Sequence, residues 1–146
     1  RKLLERVPDQ KFDWKPHTKS MTLGGLATHI ASIVWWGEVT LDRPDFDLEG
    51  NPPSKPEANR SDLLVKFDRN VAATRALLAG KADPELMAPW SLRNGTQTFF
   101  TMPKAAVWRT FVMNHLVHHR AQLGVYLRMN DVPLPAMYGP SADESS

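Results

Sequence analysis

The sequence predicts an all-α chain: a four-helix bundle with long crossover loops, broken by one short β-hairpin before the last helix. Three observations predict it. Apolar residues recur at helical spacing in three long segments, each opened by a residue suited to a helix start. Prolines gather in the connections, at Pro52, Pro53 and Pro56 and again at Pro133, Pro135 and Pro140. Strand-like patterning is confined to one stretch. With 146 residues, the chain suffices for one buried core and reads as a single domain over 1–146.

In chain order, Lys2 to Val7 reads as the end of a helix whose start is expected to be missing, because the first residue is Arg rather than Met. Pro8-Asp9 stops it, and the polar residues to Ser20 read as a loop. Thr22 is an N-cap for a helix to about Thr40, with Leu26, Ile30, Ile33 and Val34 in its apolar set. The prolines from Pro44 to Pro56 leave a long connection without helical prospects. Ser61 can cap the next helix, whose Leu64, Phe67, Val71, Leu77 and Leu78 repeat until Gly80. Between Pro84 and Pro103 the chain is not helical: Trp90 to Arg93, Asn94-Gly95 and Thr96 to Phe100 have the form of a hairpin with a primed turn. Pro103 fits the first turn of the longest helix, which runs through about Arg128, and a proline-rich tail then lies extended on the surface.

Composition excludes several function classes. The formal net charge is +2 and the basic residues are scattered, so no nucleic-acid surface is expected. Lys66, Arg69 and Arg75 alternate with Asp62 and Asp68 as on a solvated helix face. Cysteine is absent, which removes disulfides, thiolate ligands and a protein-borne thiol nucleophile, and fits a cytoplasmic protein. No apolar run reaches the roughly eighteen residues of a membrane span. A Ser-His-Asp order, a phosphate-binding glycine loop and a paired-carboxylate spacing are all missing.

The chemistry-bearing feature is the histidine distribution. Three of five histidines fall in Asn114-His115-Leu116-Val117-His118-His119-Arg120. On a helix His115 and His119 share a face with Trp108, Val112, Gln122 and Tyr126, a mostly buried half. His118 lies toward its edge, and spacing alone leaves open whether it replaces His119. A fourth, His29, shares a face with Leu26, Ile33 and Trp36 on the earlier helix, while His17 sits in a polar loop. A lone inward histidine is more often a hydrogen-bonded core residue than a ligand. Three buried imidazoles are harder to satisfy without a metal, and three would leave coordination positions open. Gln122, one turn on, can orient a ligand or a bound water. Trp35, Trp36 and Trp108 read as core or interface, and the five tryptophans suit a dimer face.

Leu26-Ala27-Thr28-His29-Ile30-Ala31, Asn114 to Leu123, the ending Pro133 to Ser141, and Trp14-Lys15-Pro16 ahead of the first histidine together resemble the DinB-like (DinB/YfiT) superfamily. The resemblance covers nearly the whole chain and departs at the start, where most of the first helix is absent. It implies an up-down-down-up four-helix bundle, commonly a homodimer, with zinc or nickel held by His29, His115 and His119 and with His118 a neighbour. It also implies thiol-dependent chemistry using small thiol cofactors.

The expected function is therefore divalent-metal binding at an open site and, most concretely, a metal-dependent S-transferase acting on a small-molecule substrate with an exogenous low-molecular-weight thiol. Metal-assisted hydrolysis suits the same site, and a non-enzymatic stress-response or interaction bundle is the remaining alternative. A structural metal normally has a fourth protein ligand, and no Cys or well-placed acidic residue supplies one. Imidazole must be neutral to ligate, so metal is expected to leave below about pH 6.

Overall fold

The structure, a computed structural model, describes every residue except Ser54, Ser145 and Ser146. Thr22 opens α1 (Leu23–Asp42) by accepting the Gly25 N–H on its hydroxyl oxygen at 3.0 Å. The segment carries no Lys or Arg, and thirteen of its twenty residues are buried, so it serves as the central element. Such a helix, apolar nearly all round, can only be stable wrapped by others.

The second long helix, α2 (Arg60–Ala79), packs along α1. Its cap is Asn59, whose side chain accepts the Asp62 N–H at 2.9 Å, and the expected cap Ser61 sits exposed inside the first turn. Asn and Ser cap about equally well, and the extended backbone at Asn59 decides between them. Two polar residues bury themselves against α1: Asn70 donates to Ala31 O at 3.0 Å and Thr74 to Val34 O at 2.9 Å. A short α3 (Asp83–Leu86) follows, a helical turn within the stretch expected to be non-helical; Glu85 accepts the Ala82 N–H at 3.0 Å.

The chain is mostly helical, and the expected hairpin is extended to a small three-stranded sheet. The hairpin forms from β2 (Pro89–Asn94) and antiparallel β3 (Gln97–Pro103), and β1 (Asp45–Asp47) adds to β2 in parallel. Asn94 pairs with Gln97, so Gly95 and Thr96 form the tip, and Gly95 takes a φ of 57°. One left-handed residue at the first tip position is the II′ pattern rather than the I′ pattern Asn-Gly suggests. Strand β1 lies in the connection read as irregular. Its central Phe46 is buried with Val39, Trp90 and Val107 in a second core beneath the sheet.

The last rod comprises α4 (Lys104–Val107), a π-helical segment (Trp108–Asn114) and α5 (His115–Arg128). Pro103 is the residue before the first turn rather than within it. Leu123 and Leu127 of α5 join Leu26, Ala27, Ile30 and Leu63 in the main core. The opening segment contributes Leu3, Leu4, Val7 and Phe12 to that core. It is built from two 3-10 turns, Leu4–Arg6 and Asp9–Lys11, where a helix end and then a loop were expected. After Asp131 the tail has no regular structure and is held by Asp143, which pairs with Arg128 and accepts the Leu134 N–H at 2.8 Å. Among the described residues no helix is long and apolar enough to cross a membrane.

Candidate metal centre

The packing of α5 against α1 brings three imidazoles together. His29 projects from α1, His115 from the first position of α5, and His119 from one turn later. His115 Nε2 lies 3.3 Å from His29 Nε2 and 2.9 Å from His119 Nε2. All three are part-buried, and one ligand atom from each lies within 4.8 Å of the others. His118 is exposed, with its ring 4.7 Å from that of His119, and stays outside the cluster; His17 is likewise exposed.

The outward ring nitrogens fix how the protons are arranged. His119 Nδ1 meets Gln122 Oε1 at 2.7 Å, and His115 Nδ1 meets Phe111 O at 3.3 Å. Both partners are acceptors, so both Nδ1 atoms carry the proton and both Nε2 atoms present lone pairs. Phe111 O is reachable because the π-helical segment changes the local bonding: the His115 N–H goes to Val112 O, not to Phe111 O four residues back. Two lone pairs facing each other at 2.9 Å repel unless a cation lies between them. Zinc–nitrogen bonds of about 2.0–2.1 Å at tetrahedral angles set ligand nitrogens about 3.3 Å apart, close to what is found here. The donor set therefore fits a divalent ion. Among the described residues no carboxylate joins the three histidines.

Burial and the nearby rings favour the neutral form of His29 and His119. The His29 imidazole is pushed down from 6.5 to about 4, chiefly by burial and then by the charges of His119 and His115. His119 is lowered too, mainly by burial, against the Gln122 contact, which raises it. A histidine with a depressed folded-state value takes up its proton first in the unfolded chain. Stability from His29 is thus fully present above about pH 6.5 and is lost as pH falls toward 4. For the metal-free protein we expect urea unfolding to show a loss of about 1–2 kcal/mol across that window, after solvent screening of a half-buried ring. A flat profile from pH 7 to 4 would contradict the assignment. The same depression weakens proton competition at the site, so metal release should fall below the pH of about 6 expected from free imidazole.

Gln122 touches a ring, not the shared centre. Exchanging it for leucine removes the acceptor that fixes the His119 tautomer. Loss of an outer partner of this kind lowers metal affinity about 10–100-fold. Competition titration against a chelator reads this directly; wild-type affinity in Gln122→Leu would mean the contact plays no part.

A family model for the DinB family matches residues 1–146. The chain belongs to the DinB family. Two solved structures share its fold. A DinB-like protein from Bacillus subtilis is 21% identical, with 95% of this chain and 89% of that chain covered and a TM-score of 0.72. A DinB-like protein from Bacillus cereus is 22% identical, with 94% and 87% covered and a TM-score of 0.67. No curated protein matches the chain.

Beside this DinB-family centre lies a cavity of about 770 Å³ between α1, α2 and the connection following β1. His29 lies on its wall, as do Trp35, Trp36 and Phe46, whose rings meet edge to face. Sequence reading assigned the tryptophans to core or interface and placed Lys66 and Arg69 on a solvated face. Trp35 and Trp36 do pack against the second core and Arg69 is exposed; all four residues also line the cavity, where Lys66, half-buried, pairs with Glu57 at 2.9 Å. The available signal was Asn70, a weak helix former in mid-helix.

Proposed function

We propose that this DinB-family protein binds zinc or nickel through His29, His115 and His119 and works as a metal-dependent enzyme, a small-thiol S-transferase. The observation that carries the metal reading is the convergence of one ligand nitrogen from each of the three imidazoles within 4.8 Å, with the Nδ1 atoms of His119 and His115 turned to Gln122 and Phe111. A divalent ion held there would supply Lewis acidity toward a thiol or water. The chain's own part is to orient and enclose. Gln122 and Phe111 hold two rings, while the cavity beside His29 offers a mostly apolar chamber to a small-molecule substrate. Since the sequence has no cysteine, the thiol comes from outside.

Two measurements test the reading in turn. Protein equilibrated with zinc or nickel and then desalted should hold about one ion per chain by mass spectrometry. No bound metal, with no change in stability on metal addition, sinks the whole proposal. Conjugation of a generic electrophile should then depend on an added low-molecular-weight thiol. Turnover independent of any thiol would replace the transferase with metal-assisted hydrolysis.

The same reading takes the fold as the up-down-down-up four-helix arrangement and the protein as a cytoplasmic homodimer. Support for the dimer is exposed apolar surface along and just beyond α5: Val117, Val125 and Met129. Ala121 lies between the two valines, and beside it Gly124 has nothing within 4 Å of its Cβ position, so a second copy can approach closely. Val125→Glu puts a charge into that surface and should convert a dimer to a monomer in sedimentation. A wild-type protein that sediments as a monomer at micromolar concentration rules the dimer out.

A further inference from the structure

The cavity beside His29 has a chemical bias that the metal reading leaves unused. Its apolar wall includes Trp35, Trp36 and Phe46, which suits a flat hydrophobic body. Its polar lining comes from Thr28, His29 and Ser32 of α1 and from Lys66, Arg69 and Asn70 of α2, which supplies the cations. Lys66 is neutralised there by Glu57 at 2.9 Å. Arg69 differs: among the described residues it has no carboxylate partner.

Arg69 is exposed, but its guanidinium is tethered by the neighbouring Asn70. Asn70 is 2% exposed and donates its Nδ2 to Ala31 O at 3.0 Å, which fixes the amide. Its Oδ1 then accepts from Arg69 Nε at 3.3 Å and Nη2 at 3.2 Å. One edge of the guanidinium is thereby occupied by a neutral group, and the Nη1 end keeps its donors. A guanidinium with donors to spare at the wall of an aromatic chamber is suited to an anion that presents two oxygens. The buried Asn70 amide explains why it stays oriented without an acidic partner.

We infer that the cavity binds a small carboxylate-bearing molecule with a flat apolar body, its carboxylate on Arg69 and its body against Trp35, Trp36 and Phe46. This rests on the proposed function only in naming the molecule as the substrate brought beside the metal site; the binding itself depends on Arg69.

NMR titration of the full chain with trans-cinnamate and with uncharged cinnamamide tests it, in chelator-treated and in zinc-supplemented protein. In chelator-treated protein the carboxylate should bind about tenfold more tightly than the amide, as one charge-assisted bidentate contact allows. Arg69→Gln should bring the two ligands within about twofold of each other, whereas Arg75→Gln, exposed on the same helix, should leave the preference intact. Thermal unfolding of both variants should match wild type. Equal binding of the two ligands by wild-type protein overturns the inference. So does a preference that survives Arg69→Gln, or one that appears only with zinc, since the ion would then be reading the carboxylate. If no zinc is taken up but the Arg69-dependent preference remains, the metal reading fails and the carboxylate site stands.

Discussion

Replacing His115 by alanine is expected to give a folded protein that no longer carries stoichiometric zinc or nickel. His115 is the middle member of the triad: its Nε2 is within 3.3 Å of His29 and 2.9 Å of His119. Without it, two donors remain on separate helices. Loss of an outer partner alone costs about 10–100-fold in affinity, so loss of a ligand should exceed about a hundredfold. The fold should tolerate the change, because the ring is half-buried and its truncation also removes the lone-pair repulsion present in the metal-free protein. A stability change within about 1 kcal/mol is expected. His118→Ala is the matched control, a neighbouring histidine that is exposed and outside the cluster. Metal analysis of the three proteins, with circular dichroism to confirm folding, separates the cases. Full occupancy in His115→Ala, or equal loss in His118→Ala, would show that this triad is not the binding site.

The parts of this site that sequence made legible are those set by local periodicity. His115 and His119 lie within one regular helix, so the four-residue step that aligns them holds whatever precedes it. The pairing of His119 rather than His118 was not legible from spacing, because both steps keep one face; the burial of α5 against α1 makes the difference. The π-helical segment gave no local signal in Trp108 to Asn114, and a phase of about 100° per residue does not apply across it. Its role as the source of the Phe111 carbonyl was therefore hidden. Strand β1 is three residues long and exists only because β2 offers it an edge, a partner more than forty residues away. The misread face of α2 has the same origin. Alternating charge normally marks a solvated face, and Arg69 is indeed exposed, but the proline-rich connection closes over the cavity beside it, so Lys66 becomes a half-buried wall residue.

Gly37→Val is expected to produce the largest loss of stability, and to do so through the element that carries His115. Gly37 is buried in α1, opposite Thr74 of α2 and Trp108 at the start of the π-helical segment. A Cβ at this position would lie 2.7 Å from Trp108 Cζ3 and 2.9 Å from Thr74 Cγ2. Both distances are inside van der Waals contact, and neither neighbour is the loose end of a long side chain. Thr74 is tied to Val34 O at 2.9 Å, so it resists moving. Alanine would recover about 1 kcal/mol of helix propensity against an overpacking cost of about 1–3 kcal/mol, leaving a small net effect. Valine adds two methyls, lacks the full propensity gain and should cost about 3 kcal/mol or more. For a chain of this size that corresponds to a fall of roughly 10 °C in Tm. Because Trp108 must shift to admit the methyls, the strain is delivered to the segment that ends at His115. Metal affinity should therefore fall together with Tm in Gly37→Val. A core truncation such as Leu127→Ala, at the far end of α5, should lower Tm by a similar amount with affinity kept. An unchanged Tm in Gly37→Val would mean that Trp108 has room to move, and loss of affinity in both variants would tie metal binding to overall stability rather than to the π-helical segment.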